Sequence, residues 1–294
     1  TKDLLPPKQF HCFGDWLHID DPTPNEIIYM AYFGYSSRLM SRIADVLGRR
    51  DDADRYQRLF EDIRAAFQKA WVQPDGRIAG DSQTAYVLAI VYDLLTPAQQ
   101  EQAGKHLLRR IEERGGHLST GFVGTKDLMT ALSKIGRNDV AYRLLLNETF
   151  PSWGFTIRHG ATSIWERWNG WTPEEGFADP GMNSFAHYAF GAVGRWLFEQ
   201  VGGIQPETAG FESFAVSPQL GGGLTWAKTS YESIRGRIVS DWALEGERLV
   251  LDVQVPPNTT AKVYLPAQRP EDIREGGRAV DSNTIRLLGQ ENGR

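Results

Sequence analysis

Residues 23–48, TPNEIIYMAYFGYSSRLMSRIADVLG, decide how this chain folds. Thr23-Pro24-Asn25-Glu26 reads as a capping box with proline at the first helical position, a strong local signal for a helix start. From there Ile28, Tyr32, Tyr35, Leu39, Ile43 and Val46 recur at spacings of three or four, as on one face of an α-helix, and Gly48 ends the run. A second helix follows at once, with Tyr56, Leu59, Ile63, Phe67 and Trp71 on one face and Asp, Arg, Gln and Glu on the other. Thr96-Pro97-Ala98-Gln99 repeats the start signal. The remaining helical runs read as Asp81 to Leu95, Pro97 to Arg114, Thr125 to Ile135, Asp139 to Asn147 and Met182 to Val201.

The texture changes beyond Gly202-Gly203. Leu249, Leu251, Val253 and Val255 alternate with Val250, Asp252 and Gln254, the period of a strand with one buried face, and Pro256-Pro257-Asn258 then turns the chain into Ala261, Val263 and Leu265. With Phe214–Val216, Leu224–Tyr231 and Arg237–Trp242 these runs predict an antiparallel β-sandwich of about 85 residues. The fold class is therefore mainly α with a C-terminal β domain, divided as 1–205 and 206–294. About seven helices with short connections suit a bundle, a solenoid or part of an α/α barrel, and periodicity alone does not choose. The aromatic and acidic content of the loops favours a barrel with a functional mouth.

The bulk composition narrows the function. A chain of 294 residues buries a substantial core, and a formal charge of -5 without a Lys/Arg block offers no face for a phosphate backbone. Nucleic acid is set aside. The single cysteine, Cys12, excludes an intrachain disulfide and a Cys-based metal cluster. No apolar run approaches the roughly 20 residues of a membrane span, and Thr1 to Phe10 hold no signal-peptide core, so a cytoplasmic protein is expected. No two histidines share metal-ligand spacing and no HExxH occurs, so neither a metal nor another cofactor is expected. The absence of a GxSxG elbow argues against a serine hydrolase.

The densest chemical signal lies between Ser152 and His187. It holds Trp153, Trp165, Trp168 and Trp171, four of the nine tryptophans, together with Glu166, Asp179 and His187. Sugar rings have apolar faces and polar edges, so a sugar site needs flat aromatic platforms beside groups that hydrogen-bond hydroxyls. In Trp165-Glu166-Arg167-Trp168 a carboxylate stands between indoles, and glycoside hydrolysis needs a carboxylate held at a fixed place to activate water or attack the anomeric carbon. The same composition also fits core tryptophans with Glu166 paired to Arg158 or Arg167. The flanks Gly160-Ala161-Thr162-Ser163 and Asn169-Gly170-Trp171-Thr172-Pro173 favour a loop that presents its residues. Gly14-Asp15-Trp16-Leu17 is a second aromatic and acidic loop, able to supply a platform and a hydroxyl-binding carboxylate, or simply a turn Asp beside a core Trp. His187 is read on a helix, and Asp81 at a helix start as its N-cap.

Taken in order, Gly14-Asp15-Trp16-Leu17, Gly80-Asp81-Ser82-Gln83-Thr84-Ala85-Tyr86, Gly115-Gly116-His117-Leu118-Ser119-Thr120-Gly121, Pro151-Ser152-Trp153-Gly154, Ala161-Thr162-Ser163-Ile164-Trp165-Glu166-Arg167-Trp168 and Asp179 to Gly191 resemble bacterial α-L-rhamnosidases of glycoside hydrolase family 78. Pro218 to Trp226 resembles the start of that family's C-terminal β-domain. The resemblance implies part of an (α/α)6 barrel over 1–205, followed by the β-sandwich over 206–294. It also implies hydrolysis of terminal α-L-rhamnosides with inversion. On the matching positions Glu166 would be the general base, and Trp16 and His187 would contact the rhamnose, with Asp15, Trp165 and Trp168 completing the expected substrate-binding set. An inverting site sets a second carboxyl group about 6.5–9.5 Å away, with water between.

The family takes that acid from an Arg-Asp-Glu motif upstream of the matched region, and no Arg-Asp-Glu occurs in this chain. The acid is expected in a region this chain lacks. About seven helices leave an apolar flank that a twelve-helix barrel would close, so the expected partners are a rhamnose-containing glycoside and, on the open side, a second chain or second copy, unless the chain is a truncated or cleaved fragment. Two alternatives carry their own signatures. A non-catalytic carbohydrate-binding or assembly module would bind rhamnose without turnover, and a self-sufficient short form would need Asp15, Asp20, Asp21 or Asp179 as its acid.

Overall fold

A computed structural model describes residues 4–6, 12–280, 286, 288 and 289 of the protein. The reading of Thr1 to Phe10 as free of a signal-peptide core falls mostly outside them. The chain divides into two compact units, Thr1–Val193 and Gly194–Arg294.

The first unit is built from helical hairpins. Helices α1 (Asn25–Val46) and α2 (Arg50–Trp71) pack on each other, as do α3 (Gln83–Val91) with α4 (Pro97–Glu113) and α5 (Phe122–Lys134) with α6 (Asn138–Leu145). Contacts of α3 with both α1 and α5 place the first helix of each hairpin in one layer. Burial follows from that layering. Every residue of α3 from Gln83 to Ile90 is buried, because it has neighbours on all sides, whereas α2 buries only Ala53, Phe60, Ile63 and Phe67. A polar side chain inside such a layer must be satisfied internally. Gln83 donates to the His117 carbonyl and accepts from the Ser119 N–H.

The two helix-start signals part company. At α4 the capping box forms as read: Thr96 accepts from the Gln99 N–H at 3.3 Å, and Gln99 accepts from the Thr96 N–H at 2.9 Å. At α1 it does not. Pro24 occupies the N-cap position, and the Thr23 hydroxyl instead meets Ser82 Oγ at 2.7 Å, tying the starts of α1 and α3 together. Asp81 is likewise not the cap of α3, since Ser82 accepts from the Ala85 N–H and Asp81 sits one residue outside, at φ 46°.

The buried face of α1 also differs from the apolar stripe. Ile27, Ile28, Met30, Ala31, Gly34, Ser37 and Ala44 are buried, so the expected stripe holds at Ile28, is half-buried at Tyr32, Tyr35 and Leu39, and fails at Ile43 and Val46, which are exposed. Small side chains let α1 lie close to two partners at once: a Cβ on Gly34 would stand 3.0 Å from Leu94. The larger residues Phe33, Met40, Ile43 and Leu47 then run along the opposite side, all exposed.

Beyond α7 (Trp153–Arg158) the helix expected over Met182–Val201 forms only from Ala189 onward, where 3-10, α and π turns follow one another to Val201, and its first part is replaced by other structure. A hairpin of β1 (Trp171–Thr172) and β2 (Gly176–Phe177), a 3-10 turn at Pro180–Met182 and irregular backbone come first, then short helical turns from Ala189 onward. The reason lies in where the backbone groups bond. Ser184 accepts from the Glu166 N–H and the His187 N–H donates to Ile164, so these groups serve a neighbouring loop instead of an i to i+4 ladder. His187 is consequently on a loop.

The second unit holds two three-stranded sheets. Strands β5 (Trp226–Ser233), β6 (Gly236–Glu245) and β7 (Arg248–Gln254) form an antiparallel meander, and β3 (Ile204–Pro206), β4 (Ser213–Val216) and β8 (Thr260–Val263) form the other sheet. Ile204, Phe214, Val216 and Ile238 pack between them, with Leu251, Val253 and Ala261 against their edges. One pairing departs from the antiparallel expectation, for β4 and β8 run parallel. The turn at Pro256–Asn258, with Asn258 at φ 59°, carries the chain across to the other sheet instead of closing a hairpin on β7.

Candidate active site

The starts of α1, α3 and α5 are stitched to one another by buried carboxylates. Asp21 accepts from the Gln83 N–H, the Ser119 hydroxyl and Arg110. Asp15 is 1 % exposed and spends both oxygens: Oδ2 accepts from Thr84 and from the Gly121 N–H at 2.8 Å, and Oδ1 accepts from the Val123 and Gly124 N–H groups at 2.8 and 3.0 Å. Burial pushes the Asp15 carboxyl up from the ordinary carboxylate range, and these four donors pull against the rise. At Asp81 burial acts the same way but loses. The Tyr86 hydroxyl and Arg109 hold that carboxyl below the ordinary range.

On this frame lies the loop of Trp16. Its carbonyl accepts from the Phe122 N–H at 2.9 Å, and a Cβ on Gly121 would stand 2.1 Å from that carbonyl, so only glycine admits the contact. The Trp16 ring is 37 % exposed, edge-on to Phe13 at 5.4 Å.

The Glu166 loop is held from below by indoles. Trp168, 2 % exposed, lies flat on Phe190 at 4.0 Å and donates its N–H to the Thr120 carbonyl, and Trp153 donates to the Phe190 carbonyl. Trp165 is also buried, its ring against the edge of Phe185 at 5.0 Å. Trp165 and Trp168 therefore support the loop from within and offer no open face, in contrast to Trp16. Glu166 itself is half-buried and makes no ion pair or side-chain hydrogen bond among the described residues. Neither arginine claims it: Arg158 pairs with Glu148, and Arg167 reaches Asn169 and the Met182 carbonyl.

His187 completes the cluster. Its N–H bond to Ile164, 2.8 Å, and that of Glu166 to Ser184, also 2.8 Å, clamp the two segments together. Its Nδ1 accepts from the Ala189 N–H, so the neutral ring carries its proton on Nε2, as a donor. The ring packs on Phe122 at 4.9 Å and on Tyr188 at 5.0 Å. A continuous path thus runs from Trp16 through Phe122 and His187 to the Glu166 loop. Phe122 and Ser184 escaped the sequence reading because neither carries titratable chemistry or a periodic signal. Among the described residues no three His, Cys, Asp or Glu side chains gather as a metal-binding group.

Paired helices whose gathered starts support an aromatic loop layer, with a carboxylate unpaired among the described residues, define a helical-hairpin domain. The comparisons agree, and the chain belongs to the bacterial α-L-rhamnosidases: the family model for their six-hairpin glycosidase domain matches residues 2–201, and that for their C-terminal domain matches 203–279. An α-L-rhamnosidase of Streptomyces avermitilis is 44 % identical over 262 residues, covering 89 % of this chain and 25 % of the relative. One of Formosa agariphila is 37 % identical, covering 99 % of this chain and 32 % of the relative. The crystal structure of the Streptomyces avermitilis α-L-rhamnosidase complexed with L-rhamnose matches with a TM-score of 0.88 at 42 % identity, over 95 % of this chain and 28 % of that one. The chain thus spans about a quarter to a third of the length of these relatives.

Proposed function

We propose that this chain carries the water-activating half of an inverting α-L-rhamnosidase site, within a catalytic domain that runs to about residue 205 and precedes the β domain. The observation that carries the reading is the unpaired Glu166 carboxylate on a loop fixed by three buried indoles and by hydrogen bonds to the His187 segment. A general base needs that combination. Its position must be set by the protein, and its lone pairs must remain free for water. Trp16, with its open face, and His187, with an Nε2 donor, would engage the apolar face and a hydroxyl of the terminal rhamnose. Trp165 and Trp168 would hold Glu166 in register. Asp15 and Asp21 are buried and fully engaged, which argues against either as the acid, and a carboxyl group outside these residues would protonate the leaving oxygen. The exposed stripe of α1 would be covered in the working molecule by a second segment or copy.

The test is Glu166→Gln in the complete enzyme. With an aryl α-L-rhamnoside, kcat should fall by about 10²–10⁴-fold with L-rhamnose affinity retained. NMR of the first-formed sugar should show the inverted anomer. Unchanged hydrolysis would remove Glu166 from the mechanism, and rhamnose binding with no turnover in the parent enzyme would favour a binding module.

A further inference from the structure

The carboxylate of Asp15 caps a helix whose N-cap residue, Gly121, lies 106 residues later in the chain. Helix α5 has Gly121 at its N-cap, which has no side chain to offer the free N–H groups of the first turn, and no side-chain cap forms there. Asp15 supplies what a local Ser or Asp would otherwise give, accepting from Gly121, Val123 and Gly124, and it reaches into α3 through Thr84. Because it is followed directly by Trp16, whose carbonyl takes the Phe122 N–H, the same bonds fix where the Trp16 ring stands relative to α5. Phe122 in turn is the ring against which His187 packs.

From this geometry we infer that Asp15 is a positioning residue: anchored in the first turn of α5, it sets the spacing between Trp16 and His187 across which the terminal sugar is gripped. The inference rests on the reading of Trp16 and His187 as sugar contacts. It assigns Asp15 no contact with substrate, which its burial would not permit. An amide at this position would keep the shape but not the function. It has one accepting oxygen for four donors, and it would press its own N–H groups against those of the helix. The positive end of α5 adds a further preference for the carboxylate.

The experiment compares the complete enzyme with its Asp15→Asn and Gly121→Ala variants. Asparagine removes the charge. Alanine keeps the carboxylate and pushes the Trp16 carbonyl away through the added Cβ. Each is followed by L-rhamnose affinity from calorimetry, by KM and kcat on an aryl rhamnoside, and by the pH dependence of kcat. Loss of position at the sugar should weaken rhamnose affinity and raise KM by about ten- to hundredfold, while kcat at saturation moves only a few-fold. The shape of the kcat profile against pH should be that of the parent, because neither change alters a group at the reacting centre. A residue that served stability alone would lower the melting temperature and leave affinity intact below it. Wild-type rhamnose affinity in either folded variant overturns the inference and leaves the site reading standing. Absence of rhamnose binding in the parent enzyme overturns the site reading, and this inference with it.

Discussion

Glu166 and Trp168 stand two residues apart and do opposite things with their surroundings. The indole of Trp168 is spent: its face lies on Phe190 and its N–H on the Thr120 carbonyl. The carboxylate of Glu166 has no side-chain partner among the described residues, because the arginines nearest in sequence are occupied elsewhere. Trp168→Phe keeps most of the packing but takes one of two donors from the Thr120 carbonyl, which still accepts from the Thr125 hydroxyl. The helical unit should lose about 0.5–1.5 kcal/mol, read by denaturant unfolding, the net worth of one hydrogen bond. In the complete enzyme the same change should lower kcat more than it raises KM, since it loosens the support of Glu166 and leaves Trp16 alone. His187→Ala should do the reverse, raising KM by about tenfold or more in the same assay.

At the scale of the element, layering decides the cost of a change. Leu88 lies on α3, buried all round, so Leu88→Ala should destabilise by about 2–5 kcal/mol. A chemical denaturation curve of the helical unit checks this. The caps give a sharper contrast. Thr96→Ala breaks a working capping box and should cost about 0.5–2 kcal/mol, measured by the same curve. Thr23→Ala, in an equally convincing motif, removes no cap of α1 and should instead loosen the hold on Ser82 at the start of α3. Hydrogen exchange at the first turn of α3 would register it, with α1 unchanged. The two motifs read alike because a capping box is a four-residue pattern, and whether its hydroxyl turns inward to the helix or outward to a neighbour depends on a partner 59 residues away.

Across the helical unit, ion pairs bind its layer at both ends. Asp81 pairs with Arg109 near the helix starts, and Asp93 pairs with Arg38 and Lys134 near the other ends of α1 and α5. Burial tends to raise the Asp93 carboxyl, but the hydrogen bonds and charges of Lys134 and Arg38 outweigh it and hold the group below its ordinary range. For a carboxyl lowered in the folded state, the stabilisation is complete above the unfolded value of about 3.9 and is lost as pH falls through the lower folded value. Melting temperature should therefore drop below about pH 4. Asp93→Asn should melt lower at neutral pH and show a shallower acid drop. The exposed residues of α1 give a second prediction at this scale. The chain expressed alone should self-associate in sedimentation velocity, and replacing Met40, Ile43 and Leu47 with serine should shift it toward the monomer.

Much of this protein was settled by the sequence on its own. Helical periodicity, the Thr96 box and the strand alternation after residue 211 are local patterns, set by covalent spacing and side-chain chemistry, and they located the hairpins and the β strands, while the indoles around Glu166 made it the candidate carboxylate. Only the tertiary structure decided which face of α1 is buried, that His187 rides on a loop, and that Trp165 and Trp168 are buried. It also decided that Glu166 is free of its neighbouring arginines and that Asp15 is sealed under the first turn of α5. Each of those outcomes depends on groups far apart in the chain competing for the same hydrogen bonds and the same volume. Spacing along a sequence does not record who wins that competition; packing does.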